Sequence, residues 1–385
     1  MIDGYDTLML AFTAPLISKD WALLPQTMGQ IFASTYAGAA VGATLIGIGA
    51  DRYGRRRMLF AALALMGLFT MLCALSENPL QLMALRSLAG LGLGGALSTA
   101  TALTASNAPI QRRRATVTRM FLGFPIGAIL GGAVTAKIMA YIGWRGVFIG
   151  GGVCALLLVP LVAGVVTESA AGAPHTEQVH SLHPLTELGA ERRTWTTALF
   201  CACVFLMLLT SYFLVSWIPT VLTLNGVSPA RAAMAAVFLN CGGVAGSLLL
   251  SFVVGRTTPL APVIVCLCAG AVLIALLGPS VATPERTSFI LVFAVGLLII
   301  GAQGGIPALC VYLYPPSVYA TAVGLSVACG RLGSILGPLI GGYLISARLG
   351  WNQLFLFAAL PAIAAAVTMT GLAAAGRLKS EGAQP

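Results

Sequence analysis

Charge is what this chain of 385 residues has least of. Only 8% of its residues are Asp, Glu, Lys or Arg, where a soluble domain carries about a quarter, and that scarcity excludes an ordinary water-soluble globular fold. Histidine is scarcer still. His175, His180 and His183 stand with Glu177 in one polar stretch, a pattern that belongs to solvated linkers more often than to metal sites. The nine cysteines include Cys201 with Cys203 and Cys266 with Cys268, spacings that match neither a zinc pattern nor a CxxC redox pair. They read as small apolar packing residues. No HExxH, GxSxG or other catalytic constellation occurs. The sequence therefore points to no enzyme, metal or cofactor, and no signalling domain is appended that would make it a sensor.

What is abundant is hydrocarbon: 58% of the residues are hydrophobic and the mean hydropathy is +0.95. Apolar runs long enough to cross about 30 Å of bilayer as helices recur throughout. They lie at 1–18, 28–49, 58–76, 80–104, 117–140, 146–167, 195–217, 230–254, 260–279, 287–313, 321–346 and 352–376. The expected fold is an all-α polytopic membrane protein of twelve transmembrane helices, arranged as two pseudo-symmetric six-helix bundles. Residues 1–167 form the first bundle, 168–194 a cytoplasmic central linker and 195–385 the second. The linker holds Glu168, Glu177, Glu187 and Glu191, four of the eleven acids.

A net charge of +10 would point to nucleic acid in a soluble protein. Here the distribution of the basic residues assigns it to membrane topology. With the chain entering from the cytoplasm, one side carries Arg52, Arg55, Arg56, Arg57, Arg112, Arg113, Arg114, Arg192, Arg193, Arg256, Arg377 and Lys379. The other side has Lys19, Lys137, Arg145, Arg231, Arg286 and Arg348. The positive-inside rule then places both termini in the cytoplasm of a cell, or inner, membrane.

The two halves repeat each other. Gly123, Gly127, Gly131 and Gly132 recur as Gly333, Gly337, Gly341 and Gly342 at an offset of 210, and Gly94-Gly95 recurs as Gly304-Gly305 at the same offset. Gly143-Trp144 and Gly350-Trp351 follow. One offset serving two helix pairs reads as internal duplication of a six-helix unit. The glycines let helices approach closely, and with Pro125 and Pro338 as bend points they would line the interface along which two halves rock.

Apart from Lys137 and Arg231 at span ends, the charged residues inside the spans are Asp3, Asp6, Arg86, Arg119 and Arg331. Carboxylates in hydrocarbon are costly and usually functional. Asp3 and Asp6 are three apart and share a helix face. Burial and mutual repulsion favour their protonated form, whereas pairing with Arg86 favours the ionised one. Arg119 lies five residues past Arg114 and is expected to snorkel to the cytoplasmic surface. Arg331 sits near the bilayer midplane between Gly330 and Gly333, and no acid occurs in the second-half membrane region. A guanidinium so placed can hold a substrate carboxylate bidentately.

Between the second and third spans the chain reads GIGADRYGRRRML. This loop resembles the signature of the major facilitator superfamily. Gly54 permits a tight turn, and Asp51 can pair with Arg52, Arg55 or Arg56 or cap a helix. Such a latch would hold one conformer and break in the other.

The segments DGYDTLMLAFTAPLI, RSLAGLGLGGA, MFLGFPIGAILGG, WIPTVLTLNGVS, GAQGGIPAL and GRLGSILGPLIGG together resemble the aromatic acid:proton symporter family over all but the central linker. The resemblance implies proton-driven uptake of a benzoate-like or hydroxybenzoate-like carboxylate across the lipid bilayer by a chain that can work as a monomer, without nucleic acid. It gives Asp3, Asp6 and Arg86 to proton coupling and Arg331 to the substrate carboxylate. Tyr36, Phe121, Tyr212, Asn240 and Gln303 would wall the ring. A carrier of another organic anion, or a drug or metabolite exporter of the same superfamily, is the rival reading.

Two segments depart from the family. FVVGRTTPLAP stands where a second acidic and basic latch is usual, with Arg256 but no aspartate. The family also carries more chain before the DGYD motif than the two residues here, and Met1 to Ser18 spans at most about 27 Å as helix. The first helix is therefore expected to be N-terminally truncated, with the true start upstream.

Overall fold

The computed structural model of the chain describes residues 1–109, 116, 119–165, 191–254, 258–280, 285–314 and 318–381. The three histidines, Glu177, the arginine run 112–114 and Arg256 lie outside these residues. Among the described residues there is no strand. The helices are α1 (Ile2–Asp20), α2 (Pro25–Tyr53), α3 (Arg55–Leu72), α4 (Pro79–Asn107), α5 (Gly123–Val165), α6 (Glu191–Leu224), α7 (Pro229–Val254), α8 (Leu260–Ser280), α9 (Glu285–Val295), α10 (Ile306–Leu313), α11 (Tyr319–Ser346) and α12 (Trp351–Glu381).

Local chemistry sets several boundaries. Pro25 opens α2 and Pro79 opens α4, where a missing N–H costs nothing. The Asn78 side chain accepts from the Gln81 amide at 2.9 Å and caps α4. Gly54, with φ 96°, turns the chain between α2 and α3 in one residue.

Ten helices among the described residues are long and apolar enough to cross a membrane. The expectation of twelve counted α1 as a span and divided the stretch 117–167 into two. Here Arg119–Val162 counts as one, and Ile2–Asp20 is not among the ten. The division survives as a bend, because Gly143 leaves the helical conformation at φ 63°, ψ −178° within α5.

One further boundary differs from expectation: residues 191–194, assigned to the linker, open α6. The expected span 287–313 corresponds to one crossing, Arg286–Leu313, with an irregular hydrogen-bond ladder. After α9 come a π turn (Gly296–Ile300), a short helical piece (Gly301–Gln303) and a tighter turn at Gly304-Gly305, both in right-handed helical conformation, before α10. The physical reason is local: Gly304 and Gly305 donate to Gly301 and Ala302, three residues back, at 3.0 Å each, and Pro307 has no N–H to continue the ladder.

The chain divides into two compact units. One comprises Met1–His175, Val215–Val237 and Pro338–Ser346; the other comprises Thr176–Leu214, Phe238–Gly337 and Ala347–Pro385. In the first unit α2 packs on α4, α3 on α4 and α5, and α1 on α5; in the second, α8 packs on α12.

The glycine repeat acquires a packing meaning within each unit. A Cβ at Gly42 of α2 would overlap the Leu91 carbonyl of α4, and one at Gly246 of α7 would overlap the Leu297 carbonyl in the π turn. Likewise a Cβ at Gly127 of α5 would overlap the Met1 carbonyl, and one at Gly337 of α11 would fall 2.5 Å from the Leu209 carbonyl of α6. Equivalent helix pairs are thus pressed backbone to backbone in both sequence halves, a contact that only the smallest residues allow.

The first unit also gathers the ends of second-half helices. The Trp217 indole of α6 donates to the Pro338 carbonyl of α11 at 3.0 Å and lies edge-on to Phe32 of α2, centroids 5.8 Å apart. The Gln26 amide donates to Ser346 Oγ at 3.2 Å.

Candidate functional site

Asp6, on α1, is 3% exposed, and Arg86, on α4, is fully buried. Burial of two opposite charges demands that each be paired and hydrogen-bonded, and the surroundings meet that demand. Arg86 Nη2 lies 3.5 Å from Asp6 Oδ2 and donates to the Asp6 backbone carbonyl at 3.2 Å. Its Nε donates to Thr35 Oγ1 of α2 at 3.2 Å, and the guanidinium stands 5.7 Å from the centroid of the Phe148 ring of α5. Asp6 Oδ1 accepts from Thr70 Oγ1 of α3 at 2.7 Å. Five helices thus contribute to one polar centre.

The geometry is asymmetric in a way that matters chemically. The shortest contact of the carboxylate is with a neutral hydroxyl, while the guanidinium keeps three contacts that do not involve the carboxylate: Thr35, the Asp6 carbonyl and the Phe148 face. The position of Arg86 therefore does not depend on the carboxylate alone. Thr70, Thr35 and Phe148 were absent from the sequence reading, because nothing in their local sequence distinguishes them from other packing residues.

The other residues expected in the first half are placed as follows. Asp3 is half-buried one turn before Asp6 on α1 and has an interaction of its own, and Thr7 Oγ1 donates to its backbone carbonyl at 2.8 Å. Tyr5, between the two aspartates, receives a hydrogen bond at 3.2 Å from Thr135 of α5. Tyr36 is buried on α2. Phe121 is 45% exposed, and Arg119 is exposed, as its expected snorkelling requires.

In the loop motif, Asp51 pairs with Arg55 at 3.8 Å, and Arg55 Nη1 also donates to the Ala102 carbonyl of α4 at 3.4 Å. Arg52 stands over the ring of Tyr53 and Arg56 over that of Phe60, each at 5.4 Å. The motif therefore ties the ends of α2, α3 and α4 together. Its ion pair is exposed, and such pairs are worth little alone.

In the second unit Arg331 is half-buried on α11. Its backbone carbonyl accepts from Ser334 Oγ at 2.7 Å. No described residue hydrogen-bonds or ion-pairs with its guanidinium, in contrast to Arg55, Arg86 and Arg145, each of which pairs with an aspartate. Gln303, half-buried in the irregular stretch after α9, donates through Nε2 to Ser211 of α6. Tyr212 is half-buried and Asn240 is 6% exposed, and both have partners. Ser211 is the residue that the sequence reading missed here, a serine in an apolar run with no signal of its own.

A helical membrane protein with an internal duplication, a buried acid–base pair in one unit and, in the other, an arginine with no ion pair among the described residues has the parts of a secondary transporter. The family model of the Major Facilitator Superfamily matches residues 1–333, and the chain belongs to that superfamily as a multi-pass membrane transporter.

Among its relatives, the gallate transporter of Pseudomonas putida is 31% identical, with 96% of this chain and 88% of that protein covered. The 4-hydroxybenzoate transporter PcaK of Pseudomonas aeruginosa is 32% identical over 96% of this chain and 90% of its own length. The 3-(3-hydroxy-phenyl)propionate transporter of Escherichia coli is 34% identical over 91% and 85%. In fold, the chain is similar to the nucleoside transporter NupG, with a TM-score of 0.79 at 14% identity and 96% and 98% coverage, and to a D-xylose–proton symporter, with 0.74 at 18% identity and 93% coverage of both chains.

Proposed function

We propose that the protein is a proton-coupled symporter that takes up a small aromatic carboxylate by alternating access. The observation that carries this reading is the presence of two charged centres: a buried carboxylate beside an arginine that other groups also hold, and a second arginine with no anion among the described residues. A lone guanidinium in hydrocarbon is costly unless an anion arrives to pair with it, so Arg331 is the carboxylate receptor of the cycle. The relatives named for gallate, 4-hydroxybenzoate and 3-(3-hydroxy-phenyl)propionate support an aromatic acid as that anion.

In the proposed cycle the outward-facing protein loads a proton on Asp6 and binds the substrate carboxylate at Arg331. Asp3, on the same helix, shares the proton-coupling role. Neutralising Asp6 loosens its hold on Arg86 while Thr35 and the Asp6 carbonyl keep the guanidinium in place. The bundles, 1–167 and 195–385, then rock to the inward-facing state, where substrate and proton leave. Asp51, Arg52, Gly54, Arg55 and Arg56 form the cytoplasmic latch, and Tyr36, Phe121, Tyr212 and Asn240 contribute ring contacts. The chain works as a monomer in the inner membrane, with twelve crossings and both termini cytoplasmic.

The test is competition for uptake by benzoate, hydroxybenzoates and aliphatic acids in reconstituted vesicles under an inward proton gradient. The symporter reading requires aromatic carboxylates to compete. Competition by aliphatic acids alone would move the protein to another class of organic anion carrier, and uptake driven only by an outward gradient would make it an exporter.

A further inference from the structure

The irregular turn after α9 leaves hydrogen-bonding groups that no described residue uses. The carbonyl of Gln303 faces Pro307 four residues on, which has no N–H to give it. The Gln303 carboxamide donates one N–H to Ser211, and its Oε1 and second N–H meet no other described residue. Ser211 is itself 4% exposed; its oxygen accepts from Gln303, which leaves its own proton to donate. A buried hydroxyl, an amide oxygen and a freed carbonyl are thus brought to one place by the contact between Gln303 and Ser211.

Backbone groups freed from the helix ladder at membrane depth are tolerated where they are buried in protein or line a cavity, and irregular helices are where secondary transporters place substrate. The irregular turn is also built rather than incidental. Gly296 packs against the Leu239 carbonyl of α7, and Gly301 packs against the Gly246 backbone, where a Cβ would come within 2.8 Å. Ser247 Oγ holds the Gly301 carbonyl at 3.4 Å. Both flanks of the π turn are therefore clamped to α7, which fixes where Gln303 emerges.

We propose that Gln303 and Ser211 read a hydroxyl group on the substrate ring, and so determine the preference for hydroxylated over unsubstituted aromatic carboxylates. A phenolic hydroxyl is one donor and one acceptor, and it finds here an amide or backbone oxygen to donate to and a serine or amide proton to accept. An unsubstituted ring leaves these groups unpaired, and a site built to bond a hydroxyl discriminates strongly against the analogue without it. The inference rests on the aromatic-carboxylate reading above and adds the residues that select within that class.

The experiment measures initial uptake of labelled benzoate, 3-hydroxybenzoate and 4-hydroxybenzoate by the full chain in proteoliposomes, for wild type, Gln303→Met, Gln303→Glu and Ser211→Ala. Wild type is expected to favour at least one hydroxybenzoate over benzoate by about tenfold or more in kcat/KM, the worth of a hydrogen bond lost from a buried site. Gln303→Met should bring the ratio close to one. Ser211→Ala, a deletion small enough to spare folding, should lower it part of the way, and Gln303→Glu, which keeps an acceptor, should retain more of it than Gln303→Met. If the residues only support packing, uptake of all three acids falls together and the ratio stands, which overturns the proposal. A wild type that carries aromatic acids without any hydroxyl preference overturns it too, leaving the symporter reading intact. A wild type that carries none of the three defeats both.

Discussion

Arg86 and Asp6 form an ion pair at 3.5 Å with both side chains out of solvent, yet the carboxylate's closest partner is Thr70 at 2.7 Å. The pair is loose at the charge and tight at the hydroxyl. An ion pair built only for stability would close on the carboxylate. One built to exchange a proton gains from an arginine held by other groups, here Thr35 and the Asp6 carbonyl, so that neutralising the acid does not strand a buried cation.

Asp6→Asn should therefore uncouple transport without removing the substrate site. The expected outcome is loss of accumulation against a gradient, with counterflow exchange of labelled for unlabelled substrate retained, because exchange needs no net proton movement. Loss of both in a variant that still binds substrate would place Asp6 in substrate recognition instead.

Arg86→Met removes the cation and leaves a buried carboxylate with only Thr70. Breaking a buried pair from one side costs about 3–5 kcal/mol, so the variant should unfold at a markedly lower temperature in detergent. Adding Asp6→Asn should restore a large part of that loss. Thermal unfolding of the single and double variants checks this, and strictly additive losses would show that the two side chains are not energetically coupled.

Arg331→Gln should raise KM for the carboxylate by about 100-fold, the scale of a lost charge-assisted hydrogen bond at a partly desolvated site. Arg331→Lys should recover only part, since an ammonium cannot make the bidentate contact. Substrate binding measured at equilibrium in both variants is the check, and unchanged affinity in Arg331→Gln would move the anion site elsewhere.

Gly42→Val should destabilise the first half by about 1–3 kcal/mol through overpacking against the Leu91 carbonyl. Gly150→Val is the control, because nothing lies within 4 Å of a Cβ there. Thermal unfolding of the two variants should differ, with only Gly42→Val shifted.

The parts legible in the sequence are those governed by short-range pattern. Apolar runs marked the helices, and the glycine offset marked the helix pairs that meet backbone to backbone. The rarity of membrane acids drew attention to Asp6, and Arg86 was its expected partner. What stayed hidden depends on neighbours distant in sequence. Thr70 and Thr35 reach the pair from α3 and α2, and a threonine in a membrane helix has no local mark of such a role when it can bond its own helix instead. The irregular stretch at Gly304-Gly305 read as glycine for packing, because a close approach and a change of helix geometry call for the same residue. Pro307, three residues past Gly304, is the local signal that favoured an irregular ladder.

The most direct measurement is uptake of labelled 4-hydroxybenzoate into proteoliposomes with and without an inward proton gradient, for wild type and Asp6→Asn in parallel. Gradient-dependent accumulation in wild type, abolished by a protonophore and absent in Asp6→Asn, is the expected result. Equal accumulation in the two proteins, or uptake in wild type indifferent to the gradient, would contradict proton-coupled symport through Asp6.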